Sequence, residues 1–279
     1  MIHDDMGQAQ PDYFASSKMK MPSLFISHGS PMTAITDTPA HRWLKSMAAD
    51  LPRPKAILIA TAHFEYEFPV FSADVKPQMI YDFGGFPKPL YDIVYAAPGD
   101  PDLAMRAAQT VHAAGYKTAL AKDRGFDHGT WVPLKLMYPD ADIPVVQLSI
   151  ESNENSAYHI ALGRTLAPLR EEGVMIIGSG SLTHNLYELS RSGRNLETPP
   201  RDWVVEFTEW IADKVQAGDE EALAQYRSRA PHAERNHPRD EHFLPLPFAF
   251  GAGGPGTKGQ RIHASYDYGY LAMDAFLFE

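Results

Sequence analysis

Leu24-Phe25-Ile26-Ser27-His28-Gly29-Ser30-Pro31 is an apolar run that ends in a histidine and then in a turn. The run is continuous rather than alternating, the pattern of a strand covered on both faces. Ala56–Ala60, Val145–Ile150 and Val174–Ile177 have the same character. Helix-like stretches accompany them. Pro101–Ala114 carries Leu103, Ala107 and Val111 at helical spacing, with Gly115 as a stop signal; Ser156–Glu172 repeats the pattern ahead of Gly173. Arg201–Val215 places Trp203, Phe207, Trp210 and Ile211 on one side. Strands alternating with helices predict an α/β fold: a single domain with a central, mostly parallel or mixed sheet flanked by helices. Residues 1–20 read as a polar extension outside it, and residues 21–279 as the domain.

Composition narrows the function. The 279 residues are 44% hydrophobic and 22% charged, so a sizeable core is available. Lys and Arg total 25 against 35 Asp and Glu, a formal net charge of −10. That balance argues against nucleic acid or an anionic membrane as partner, since neither gains from it. There is no cysteine, which excludes disulfides, cysteine-ligated iron–sulfur clusters and thiolate zinc sites. A metal site must then use His, carboxylate or main-chain oxygen. No apolar signal segment opens the chain and no run approaches the length of a membrane span, so the expected location is the cytoplasm. Self-association into a homo-oligomer is left open.

Of the twelve histidines, three follow apolar runs. His28 follows the first, His63 the second in Ile57-Leu58-Ile59-Ala60-Thr61-Ala62-His63, and His184 another in Ile176-Ile177-Gly178-Ser179-Gly180-Ser181-Leu182-Thr183-His184. Ligands in open α/β sheets bind beyond the carboxyl ends of the strands. Parallel strands would therefore deliver these imidazoles to one edge. His232-Ala233-Glu234-Arg235-Asn236-His237-Pro238-Arg239-Asp240-Glu241-His242 offers further ligands, and Pro238 with two acids predicts a helix start carrying His242 just inside it. Asp127 precedes His128 and either orients its ring or forms a turn.

Other features carry less. Gly251-Ala252-Gly253-Gly254-Pro255-Gly256 matches a dinucleotide fingerprint only formally and reads as a surface loop. Gly178-Ser179-Gly180-Ser181-Leu182 lacks the pattern of a nucleophile elbow. The segment Lys76–Pro101 is long, Pro-rich and aromatic, and its Asp82–Tyr95 portion is expected to cover a substrate.

Taken in order, Ser27-His28-Gly29-Ser30-Pro31, Ala62-His63-Phe64-Glu65, Asp82-Phe83-Gly84-Gly85-Phe86-Pro87 with Leu90-Tyr91, Asp127-His128-Gly129-Thr130-Trp131, His184-Asn185-Leu186 and Glu241-His242-Phe243-Leu244-Pro245 resemble the class III extradiol ring-cleavage dioxygenases, in their DOPA 4,5-dioxygenase-type branch. The resemblance runs from about Pro22 to the C-terminus, so residues 21–279 would be the catalytic domain. It implies His28, His63 and His242 as metal ligands, with His184 as a candidate fourth. It also implies His184 and His128 as acid/base groups in the substrate pocket. Other branches use a glutamate as third ligand, and Glu241 adjoins His242. Phe83, Phe86 and Tyr91 of the matching aromatic loop are expected to contact substrate.

The chemistry suits these residues. Neutral nitrogen ligands with open positions fit Fe(II) oxygenases, and three protein ligands leave about three sites on a six-coordinate ion for a catecholate and dioxygen. A base must take a proton as the catechol binds, and His184 is the candidate; His128 would hydrogen-bond dioxygen and later return a proton. The product is a ring-opened semialdehyde acid. Zn(II) is the alternative occupant, and a zinc-dependent hydrolase or a non-catalytic metal or small-ligand binder are the competing functions. Spare histidines at acid/base positions argue against a pure binder.

Overall fold

A computed structural model describes residues 20–188 and 195–279. The polar extension expected at residues 1–20 therefore lies outside the described residues except for Lys20.

The four expected strands form the middle of one sheet. They are β1 (Ser23–Ser27), β2 (Ala56–Glu65), β5 (Val145–Ile150) and β6 (Val174–Gly180). The sheet has eight strands in the order β4-β3-β5-β2-β6-β1-β10-β7, with β3 at Val70–Ser72, β4 at Ala119–Ala121, β7 at Gly259–His263 and β10 at Ala275–Phe278. Pairings β5-β2, β2-β6 and β6-β1 are all parallel, so their carboxyl ends share an edge. The outer pairings β1-β10, β10-β7 and β3-β5 are antiparallel, which makes the sheet mixed. A small two-stranded sheet joins β8 (Tyr266–Asp267) to β9 (Leu271–Ala272).

The helices that matter here are α1 (Pro39–Met47), α2 (Lys88–Tyr91), α3 (Pro101–Ala113), α4 (His128–Met137), α5 (Ser156–Leu166), α6 (Asp202–Ala217) and α7 (Pro245–Ala252). Local signals set several of their starts. Thr38, Asp100, Asp127 and Asn155 each accept a main-chain N–H of the first turn. The helix expected over Ser156–Glu172 changes to a 3₁₀ turn over Ala167–Glu172, because Pro168 brings no N–H to an α-helical bond. One apolar layer holds Leu24, Ile26, Ile57 and Ile59 against Trp131, Leu134 and Leu44; another holds Leu58, Ile176 and Val146 against Leu103, Leu162 and Phe248. Core on both faces explains the uninterrupted apolar strands.

Two expectations are corrected. The helix predicted to begin near Pro238 begins at Pro245, and His242 stands in the hydrogen-bonded turn before it, where Phe243 and Leu244 N–H both bind the Asp240 carbonyl. The real proline at the helix start is Pro245, seven residues later than expected. The glycine-rich stretch from Gly251 is not a surface loop either. Gly251 and Ala252 end α7 in the interior, and only Pro255 and Gly256 are exposed.

Arg170 is the fastener of this core. It is buried, and its guanidinium donates to the carbonyls of Met21 (2.5 Å), Ala252 (2.9 Å), Gly253 (2.6 Å) and Phe278 (3.1 Å). It thereby joins the entry to β1, the end of α7 and the end of β10. Burial lowers its pKa to about 10, which keeps it charged at neutral pH. Arg170→Met fills similar space and leaves these acceptors without their donor. Urea unfolding is expected to show a loss of at least about 3 kcal/mol, since each buried unpaired acceptor costs about 1–3 kcal/mol.

Candidate active site

The parallel strands deliver their histidines to the shared carboxyl edge. His28 follows β1 directly, and its N–H donates to the Gly180 carbonyl at the end of β6. His63 lies within β2, which runs past the expected end at Ala60 to Glu65 with a break in its pairing to β5. His242 arrives from the turn before α7, held by its own carbonyl, which accepts the N–H of Ser181 at 2.8 Å. That turn can lie on β6 because position 180 is glycine: a Cβ there would sit 2.2 Å from the His242 carbonyl oxygen. Position 129 works similarly on the other side, where a Cβ would lie 2.6 Å from Thr61 Oγ1 and 3.0 Å from His63 Cδ2.

Each of the three imidazoles is held at Nδ1. The Nδ1 of His28 lies 3.0 Å from Ser179 Oγ, whose own hydroxyl donates to the Gly129 carbonyl at 2.5 Å. Ser179 is thus an acceptor, and the proton of His28 belongs on Nδ1. The Nδ1 of His242 donates to Glu241 Oε1 at 3.0 Å, and that of His63 faces Asp82 Oδ2 at 3.3 Å. Acceptors at all three Nδ1 positions leave the Nε2 lone pairs facing inward. Nε2 of His63 is 3.1 Å from that of His28 and 3.3 Å from that of His242. The three ligand atoms lie within 4.8 Å of one another. Burial, then the neighbouring imidazoles, hold His28 and His242 well below the usual histidine range. His63 falls to about 3, chiefly by burial, then by His128. Converging neutral lone pairs repel unless a cation lies between them. With metal–nitrogen bonds of about 2.1 Å, neighbouring ligands stand about 3.0 Å apart on an octahedral ion and about 3.4 Å apart on a tetrahedral one. The observed separations fit such an edge, so this donor set suits a divalent metal.

The two expected acid/base residues take different places. The His128 ring centroid is 4.0 Å from that of His63 and 5.3 Å from that of His28. His184 lies flat on the ring of His242, with centroids 3.5 Å apart and planes 10° apart, and it falls in a separate group with Glu241 and His242. Burial, then His63 and His128, lower His184 to about 4, so it is neutral and able to accept a proton.

Of the two roles left open for Asp127, the structure shows the local turn. Asp127 is fully buried, caps α4 by accepting the N–H of Thr130, accepts the Thr61 hydroxyl at 2.9 Å and pairs with Arg124 at 2.6 Å. A residue that sequence reading gave only a loop role stands by His128 instead: Asp82 Oδ1 lies 2.9 Å from its Nδ1 and accepts its main-chain N–H at 3.0 Å. Glu241, weighed above as a ligand, reaches His242 Nδ1 as a partner of the ring. Neither Asp82 nor Ser179 carries a signal of this in the sequence, since Asp82 lies 46 positions from His128 and Ser179 lies 151 from His28.

The aromatic loop lies beside these groups. Phe83 meets His128 edge-on with centroids 5.8 Å apart and packs on Phe86, Tyr91 and Trp131. The Tyr91 hydroxyl accepts the N–H of Phe86 at 3.4 Å. Of the three aromatics, Phe83 is the one that meets a histidine, and it packs on Phe86 and Tyr91.

The mixed α/β sheet gathers at the ends of its parallel strands a set of histidines that could hold a metal ion. Residues 22–277 match the family described as the catalytic LigB subunit of aromatic ring-opening dioxygenase, and the chain belongs to that family. It is similar to the 4,5-DOPA dioxygenase extradiol of Beta vulgaris, at 42% identity over 92% of this chain and 96% of that protein. It is also similar to the Escherichia coli K12 protein of the same description, at 41% identity over 85% of this chain and 86% of that one. A crystal structure of an uncharacterized protein from Escherichia coli K12 superposes with a TM-score of 0.74 at 33% identity, covering 92% of this chain and 99% of that chain. The protein is a class III extradiol dioxygenase, an enzyme that opens a catechol-type ring with dioxygen. Dioxygenases of this family are metal-dependent. Among the described residues, no helix is long and apolar enough to cross a membrane.

Proposed function

We propose that His28, His63 and His242 hold Fe(II), that His184 and His128 handle the protons of ring opening, and that Phe83 seats the substrate ring with Phe86 and Tyr91 supporting it. The observation that carries this reading is the convergence of three Nε2 atoms whose Nδ1 partners are all acceptors. When bound, a redox-active ion would supply adjacent positions for both catecholate oxygens and dioxygen and let electron density pass between them, which redox-inert zinc on the same donors would not. The chain's own residues do the rest. His184, neutral and beside His242, takes a hydroxyl proton as the catechol binds. His128, buried against His63 and carried on the first turn of α4, takes up and returns a proton during ring opening. Phe83 covers the His128 side and limits water there. The substrate is a catechol, and the opened product a semialdehyde acid.

The test is reconstitution of the apoprotein with Fe(II) under anaerobic conditions, followed by a catechol panel that includes DOPA, scored by oxygen uptake and by the yellow ring-opened product. Stoichiometric uptake with Fe(II) and none with zinc is the expected result; equal turnover with zinc, or hydrolysis without oxygen uptake, would refute the iron assignment. The covering role has its own test. Phe83→Ala is expected to raise KM for the best catechol about tenfold, from loss of roughly 1.5 kcal/mol of apolar contact, with metal content unchanged. An unchanged KM would exclude it.

A further inference from the structure

Asp82 faces both a metal-binding histidine and an acid/base histidine. Its side chain is 21% exposed and reaches inward from the aromatic loop, one residue before Phe83. Oδ2 faces Nδ1 of His63 at 3.3 Å, and Oδ1 faces Nδ1 of His128 at 2.9 Å while accepting the His128 main-chain N–H at 3.0 Å. His63, Asp82 and His128 form a group whose donor atoms lie within 4.8 Å of one another. A carboxylate offers only acceptors, so its two oxygens favour a proton on Nδ1 of both rings at once.

We infer that Asp82 is a positioning residue that fixes the tautomer of His63 and His128 together, and thereby makes a competent centre conditional on the aromatic loop being in place. This rests on the assignment of His63 to the metal and His128 to proton chemistry. With both protons on Nδ1, Nε2 of His63 is free to ligate, and Nε2 of His128 is left to take up the proton that this ring later returns. Phe83 packs on His128 beside it, so movement of the loop that withdrew the Phe83 ring would also withdraw the acceptor shared by the two imidazoles. The position of the loop and the readiness of the centre are thereby tied together.

The discriminating variant is Asp82→Asn. It keeps size and shape but replaces one acceptor by an NH₂ donor, which opposes an Nδ1–H. One of the two rings must then carry its proton on Nε2. Apoprotein labelled with ¹⁵N in its histidine rings reports the tautomers by long-range ¹⁵N–¹H NMR, and chelator competition gives the affinity for Co(II). For Asp82→Asn, the expected results are an unchanged circular dichroism spectrum and conversion of His63 from Nδ1–H to Nε2–H, with a Co(II) affinity about 10–100-fold weaker, the usual cost of losing an outer partner of a ligand. Wild-type tautomers and affinity in this variant overturn the inference. His63→Ala is the control. If it loses Co(II) while Asp82→Asn does not, only the role of Asp82 is refuted; if it binds Co(II) as the wild type does, the three-histidine site is wrong and this inference falls with it.

Discussion

Replacing His242 by Ala is expected to strip the protein of its metal. His242 contributes one of three converging nitrogens, its Nε2 lies 3.3 Å from that of His63, and its ring is held by Glu241 from behind. Removing it leaves two ligands and an opening to His184, whose ring stacks on the face that His242 would vacate. The loss of affinity should exceed the roughly 10–100-fold that removal of an outer partner costs. His28→Ala and His63→Ala are expected to do the same. Glu241→Ala provides the contrast. In the structure its carboxylate binds Nδ1 of His242 rather than joining the three-nitrogen cluster, so this variant should keep stoichiometric metal at affinity weakened within that 10–100-fold range. Metal analysis after dialysis against a chelator gradient separates the cases. Full metal in His242→Ala together with complete loss in Glu241→Ala would make the glutamate the third ligand and refute the assignment.

The second large effect falls on rate. His184→Ala and His128→Ala are expected to stay folded and to bind iron, yet to turn over the best catechol about 10²–10⁴-fold more slowly, the contribution of a positioned acid or base. Neither ring belongs to the three-nitrogen group. His184 reaches His242 by stacking, and His128 reaches His63 ring to ring, so both lie close to the chemistry without supplying one of its three nitrogens. Steady-state oxygen uptake alongside iron content gives the answer. Near-full uptake in both variants with normal iron would make these histidines structural.

Much of this was legible in the sequence, and the reason is local. Strands β1, β2, β5 and β6 are buried on both faces, so their apolar runs stand out, and parallel pairing then forces His28 and His63 to one edge. Strands β3 and β4, three residues each, are too short for any periodicity to declare itself. The start of α7 was misplaced because Pro238 with Asp240 and Glu241 imitates a helix start, whereas Asp240 spends its acceptors on the Tyr226 hydroxyl, Arg227 and the turn's own N–H groups. For Asp127 the sequence leaves two roles open, contact with the His128 ring or a local turn, and the turn is what forms: a residue that caps α4 aims its carboxylate back at the helix N–H groups and at Thr61. The partners that do orient the rings come from far along the chain. Asp82 comes from a loop and Ser179 from another strand, and only the assembled fold brings them near.

Among the described residues, three groups of side chains have metal-binding spacing: His28 with His63 and His242, His63 with Asp82 and His128, and His184 with Glu241 and His242. The metal is assigned to the first, and the carboxylates of the other two hold rings. An anomalous difference map from crystals of the metal-loaded protein, recorded at the metal's absorption edge, decides among them. One peak among the Nε2 atoms of His28, His63 and His242 is the predicted result; a peak bonded to Asp82 or to Glu241 would contradict it.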